Sequence, residues 1–140
     1  MEIAWSEHLS VGNSLIDSDH KKMIVSVSDM AHAIGSRNHD ALAIKFKLFD
    51  DYMCIHLRNE ERIAEAVKYS FAQNKLEHQQ LMNEMRYMIN KLEGIQGDWP
   101  EHMVKMYSRF LEDWLTDHIV KKDMQMKSVL QFYPYDFNPG

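Results

Sequence analysis

The apolar positions of this chain fall into four runs, each stepping alternately by four and three residues. The first places His20, Ile24, Val27, Ala31 and Ile34 on one stripe. The second carries Leu42, Phe46, Phe49, Met53, His56, Glu60, Ile63 and Val67 without a break. The third reads Asn74, His78, Leu81, Met85, Met88 and Leu92, and the fourth Val104, Tyr107, Leu111, Trp114 and His118. Such alternation is the signature of one face of an α-helix, and a seam of this period favours near-parallel packing. Asp17, Ser18 or Asp19 can cap the first helix and Gly35 end it; Gly94 and Gly97 stop the third, and Pro100 suits the first turn of the fourth. The predicted helices span about residues 17–36, 40–69, 72–93 and 99–127. Short connections make consecutive helices antiparallel. The predicted fold is therefore all-α: an antiparallel up-down-up-down four-helix bundle, forming one domain. An N-terminal arm over 1–16 precedes the bundle, and a tail over 128–140, with Phe132, Tyr133, Tyr135 and Phe137, is expected to lie extended across it.

The seams are not wholly apolar, and that is what points to chemistry. His20 comes early in its helix, His56 and Glu60 late, Asn74 and His78 early, His118 and Asp123 late. In an antiparallel bundle this order brings all of them to one level. His20 and His56 also stand at matching distances from the Gly35–Asp40 connection. One histidine on an apolar face is ordinarily a hydrogen-bonded core residue. Four imidazoles and two carboxylates at one level are costly to bury unless something charged satisfies them, and a pair of metal cations does so. The candidate ligands are His20, His56, Glu60, His78, His118 and Asp123. Asp123 is five residues beyond His118, a step that rotates it about 140° off the seam of a regular helix. For it to reach the layer, the fourth helix needs a bulge, a loosened turn or an end there.

The remaining residues narrow the function. His8, His32, His39 and His102 fall in turns or off the seams and have no predicted metal role. Glu61 and Arg62 are expected in solvent, the methionines at 53, 82, 85 and 88 in the core, and Cys54, one residue off the seam, as a packed thiol. A single cysteine excludes an internal disulfide framework and suits a reducing cytosol. No apolar run reaches bilayer length, and Met1–Glu7 shows no basic-then-apolar leader. A net charge of −5 without a basic cluster argues against nucleic acid or anionic membrane as partner. The expected location is cytoplasmic.

The order H…H-x-x-x-E…x-x-x-H…W-L-x-x-H-I-x-x-x-D resembles the hemerythrin family, particularly the short, free-standing bacteriohemerythrins. Asp17 and His20, His56 with Glu60-Glu61, Tyr69, His78, Trp114-Leu115, His118-Ile119 and Asp123 carry the likeness, which runs from Trp5 to about Asp123. The resemblance implies a bundle around two iron ions joined by an oxo or hydroxo bridge. In that reading His20 and His56 bind one iron and leave it an open position. His78 and His118, with a third histidine, bind the other, and Glu60 and Asp123 bridge the two. The implied function is oxygen binding or transport in a bacterial cytoplasm, with dioxygen, another small diatomic molecule or peroxide as ligand. No motif identifies a redox partner.

This chain departs from the family pattern where it bears on that function. The third-helix pair H-x-x-x-H reads Asn74-Lys75-Leu76-Glu77-His78, the stretch after Tyr69 is one residue short, Ser70 replaces a usual proline, and Leu57 a usual phenylalanine. Asn74 either lends a weak amide oxygen or leaves water or an anion in its place. The alternative function is therefore a di-iron oxidase or peroxidase, or a peroxide- or oxygen-responsive protein, exploiting that open position.

Overall fold

The computed structural model describes residues 4–139, apart from the side chains of residues 119–121. Met1–Ile3, on which the leader reading partly rests, and Gly140 lie outside the described residues. Helix α1 spans Ser14–Gly35, α2 His39–Ala66, α3 Ala72–Glu93 and α4 Glu101–Thr116. The chain of α4 continues as a π-helical turn over Asp117–Lys122 and a 3-10 turn over Asp123–Met126, and ends in the short helix α5, Lys127–Leu130. No strand occurs among the described residues, and no helix is long and apolar enough to cross a membrane. The architecture is the antiparallel four-helix bundle that the four seams predict.

The ends of the helices differ from the sequence reading for local reasons. Helix α1 begins three residues earlier than expected, because the Asn13 side chain accepts hydrogen bonds from the backbone of Leu15 and Ile16. Asp17 is thereby freed from capping. Its carboxylate accepts instead from Ser10, the Val11 backbone and the Tyr135 hydroxyl, and the Tyr135 pKa is pushed up to about 12, chiefly by that hydrogen bond. This latch, together with Tyr133 and Phe137 packed on the lower core, lays the tail over one end of the bundle. The tail is folded in turns rather than extended. Helix α2 stops at Ala66, three residues short of the expected end, where Lys68 turns the chain with φ of 59°. Helix α3 has the expected bounds. Pro100 stands just before α4 as its extended cap residue. Cys54 is exposed, which corrects its expected burial: one residue beyond buried Met53 is about 100° around the helix, already on the solvent side.

The core is two apolar clusters with a polar layer between them. On α1, Ile16 belongs to the lower cluster and Met23 and Ile24 to the upper, with His20 between. On α2, Met53 is upper and Ile63 lower, with His56 and Glu60 between. Phe71, before α3, is lower and Leu81 upper, with Asn74 and His78 between. Along the last element Trp114 and Leu115 are upper and Met126 lower, with His118 and Asp123 between. Each helix thus passes through the same stratum, entering it alternately from above and below. Water is kept out on both sides by buried side chains such as Met53, Ile63 and Trp114, each worth about 1.5–3 kcal/mol of burial.

Candidate metal centre

All six candidate ligands are buried, none more than 2 % exposed. His20, His56, Glu60, His118 and Asp123 each offer a ligand atom, and these atoms lie within 4.8 Å of one another. His78 joins through Asp123, its Nε2 standing 2.9 Å from Oδ1. The other oxygen of Asp123 faces His20 Nε2 at 2.5 Å, His118 Nε2 at 2.9 Å and His56 Nε2 at 3.2 Å. Glu60 is divided in the same sense: Oε1 is 2.8 Å from His56 Nε2 and 3.6 Å from His20 Nε2, while Oε2 faces His78 Nε2 at 3.6 Å. Each carboxylate therefore turns one oxygen toward the His20–His56 side and the other toward His78.

Asp123 reaches this layer because the backbone loosens where the sequence required it. The π-helical turn over Asp117–Lys122 lies between the two residues, and its wider winding brings a five-residue step back toward the seam. Two changes of length test this. Deleting Val120 leaves a four-residue step that an ordinary helix keeps on one face, so metal retention survives. Inserting an alanine after Val120 turns Asp123 about 100° further away, and metal content after loading and desalting should fall to background. Retention by the insertion variant would show that Asp123 is dispensable.

Electrostatics drive the cluster toward a cation. Burial by itself lowers the pKa of His56, but Glu60, Asp123 and Asp19 outweigh it and hold the imidazole well above its ordinary value. His20 is likewise depressed by burial and raised, on balance, by Asp123 and Glu60. His118 is pushed down to about 4 by burial, against the pull of Asp123. Burial would raise Asp123, yet His118, His20 and His56 hold it well below the usual carboxylate range. The Nε2 atoms of His56 and His118 lie 3.1 Å apart, a distance that needs a proton or a metal between two lone pairs. Both oxygens of Glu60 are buried without a well-aligned hydrogen bond, their imidazole neighbours standing at 2.8 and 3.6 Å, a costly condition that a bound cation relieves. Nitrogen and carboxylate donors in this mixture suit iron. Because His20 and His56 hold their protons more tightly than free imidazole, metal must displace them. Affinity should rise with pH through the ordinary imidazole range and beyond it, with proton release on binding. Calorimetry in buffers of different ionisation enthalpy measures both, and a pH-independent affinity would contradict the protonated imidazoles.

Three side-chain contacts and a cavity escaped the sequence reading. Asp19, taken there only as a helix cap, lies 3.2 Å from His56 Nδ1 and also accepts a hydrogen bond from Asn59 at 3.0 Å; it thereby fixes the ring with Nε2 toward the layer. The only signal was its place beside His20. Trp114 stacks on His118 with ring centroids 5.4 Å apart and planes 2° from parallel, and donates to the Leu81 carbonyl at 2.7 Å. Asn74 is buried, as its seam position required, and its amide nitrogen faces the backbone oxygen of Lys122 at 3.5 Å. A cavity of about 80 Å³, lined by Asp19, Met23, Phe49, Tyr52, Met53 and His56 among others, opens beside the His56 ring. Of the four histidines excluded beforehand, His8, His32 and His102 are exposed, and His39 stacks on Trp99.

Residues 11–130 match the family described as hemerythrin HHE cation binding domain. The chain belongs to the hemerythrin family. Among relatives of known name, it is 26% identical to myohemerythrin-1 of Phascolopsis gouldii over 126 residues, covering 90% of this chain and 92% of that one. It is 25% identical to the bacteriohemerythrin of Pseudomonas aeruginosa over 123 residues, covering 86% of this chain and 76% of that one. A solved crystal structure of a point mutant superposes with a TM-score of 0.74 over 91% of this chain and 96% of its own, at 22% identity. Membership of the hemerythrin family implies a non-haem iron centre, and the buried His/Glu/Asp layer is where this chain has the donors for it.

Proposed function

We propose that this protein binds dioxygen at a pair of iron ions held by His20, His56, Glu60, His78, His118 and Asp123, with Glu60 and Asp123 bridging. The observation that carries the reading is the divided facing of the two carboxylates, one oxygen of each toward His20 and His56 and the other toward His78. Iron held by these residues would supply the electrons that dioxygen binding requires, and Glu60 and Asp123 are the carboxylates placed to hold both ions. Asp19 orients His56, the stacked Trp114 holds His118, and the apolar strata above and below exclude water. The cavity beside His56 is of a size for a diatomic or peroxide ligand, and most of its wall is apolar, with Asp19 and Lys22 at its polar edge.

A second reading, an oxygen- or peroxide-consuming oxidase, is favoured by one observation: Asn74 brings no imidazole to the His78 side. The two separate on exposing the anaerobic, iron-loaded protein to oxygen and following its visible absorption. Colour that appears with oxygen and disappears on its removal supports a carrier. Rapid bleaching with turnover of peroxide supports the oxidase, and no spectral response to oxygen would overturn both. A cytoplasmic setting, with ferrous iron and reductants at hand, suits either.

A further inference from the structure

Helices α1 and α2 each carry a second seam, on the face turned away from the core. On α1 it reads Ser18, Lys22, Val25, Asp29 and His32, and on α2 Ala41, Lys45, Leu48, Tyr52, Ile55 and Asn59, again in steps of four and three. Between them lies a groove of about 350 Å³ whose walls include Lys22, Val25, Asp29, Lys45, Leu48 and Tyr52. The apolar members are open to solvent: Val25 is 61 % exposed, Ile55 53 %, Leu48 48 % and Tyr52 43 %. Single exposed apolar residues are ordinary, but a contiguous group rimmed by charges marks an interaction surface.

The charges say what fits it. Asp29 meets Lys45 across the groove at 3.7 Å, and Asp19 meets His56 at 3.2 Å, so Val25 stands level with the midpoint between Leu48 and Tyr52. Along α1, Lys22 lies three residues before Val25 and Asp29 four residues after it. Turned end for end about an axis at Val25, the same face presents a carboxylate opposite Lys22, an ammonium opposite Asp29, and Leu48 opposite Tyr52. A surface that complements its own twofold copy suits an isologous pair. The apolar groove between α3 and α4, with Tyr87, Tyr107 and Phe110, lacks this property, because its lining has Glu84 and no cation.

We propose that two copies of this chain pair through the α1–α2 groove, about a twofold axis at Val25, with Lys22 of each facing the partner's Asp29. The groove shares Lys22 and Tyr52 with the cavity beside His56, so the second copy lies over the mouth of that cavity and closes it from solvent. The pairing goes beyond the oxygen-binding reading and does not depend on it.

Sedimentation of the full-length protein, from low micromolar to submillimolar concentration, tests the pairing. The wild type should pass from monomer to dimer, less readily as salt is raised, and Val25→Glu should stay a monomer throughout. Charge exchange tests the register. Lys22→Asp alone sets carboxylates against each other, and Asp29→Lys alone sets ammonium groups against each other, so each should weaken self-association by roughly tenfold or more. Mixed in equal amounts, the two variants regain opposite charges at both contacts and should dimerise as the wild type does. Tyr87→Glu, in the α3–α4 groove, should leave the dimer intact. Circular dichroism melts show whether each variant folds; if Val25→Glu does not, the charge variants decide. A wild type that stays monomeric overturns the pairing, as does a dimer indifferent to Val25→Glu or lost in Tyr87→Glu. A mixture of the charge variants that fails to dimerise overturns the twofold register.

Discussion

Asp123→Ala is expected to give a folded but metal-free protein with markedly lower stability. The carboxylate lies within 3.2 Å of four imidazole nitrogens, those of His20, His56, His78 and His118, and is held ionised by three of those rings. Without it, Glu60 is the sole acid among the described residues that offers a ligand atom to the layer. Leaving a buried charge without its partner costs about 3–5 kcal/mol. That penalty applies while His20 and His56 are protonated. In the wild type their raised pKa values make the pairing with Asp123 stabilising at pH below the ordinary imidazole value, and this contribution is lost as pH rises through the raised values. The gap between variant and wild type should therefore narrow toward alkaline pH. Urea unfolding of both metal-free proteins across that range measures it, and iron analysis measures the second effect, loss of retained metal. A variant that keeps iron and unfolds at the wild-type midpoint would show that Asp123 stands in the layer without serving it.

Trp114→Ala is the second large effect, and it works through packing. The indole is 2% exposed, donates to Leu81 across the interface with α3, meets Phe49 edge-on at 5.2 Å and stacks on His118. Truncating a buried aromatic of this kind costs about 3–5 kcal/mol, and here the void opens directly against a candidate ligand. His118 then gains rotational freedom, so metal affinity should fall along with stability. Trp114→Phe separates the two consequences. It keeps a ring against His118 but loses the hydrogen bond to the Leu81 carbonyl, which stays paired within α3, a cost of about 0.5–1.5 kcal/mol. It should therefore lose stability yet retain metal. If both variants lose metal equally, the stack contributes nothing beyond filling space.

The sequence by itself determined the four helices, their antiparallel order and the common level of His20, His56, Glu60, Asn74, His78 and His118. These follow from the spacing of residues within single helices, and the 3.6-residue winding of the backbone converts spacing into a face without reference to anything else. Even the need for a break before Asp123 was legible, because a five-residue step cannot stay on one face of a regular helix. What only the tertiary structure decided is everything that depends on a neighbouring helix. A π turn rather than a helix end resolved that step. Asn13, not Asp17, became the cap of α1, leaving Asp17 to tie down the tail through Tyr135. Asp19 turned to His56, Asn74 turned to the Lys122 carbonyl, and Trp114 stacked on His118. Periodicity names the face on which a side chain lies. The partner it meets there is set by rotation and offset between helices, which side-chain packing across the bundle determines and no single helix encodes.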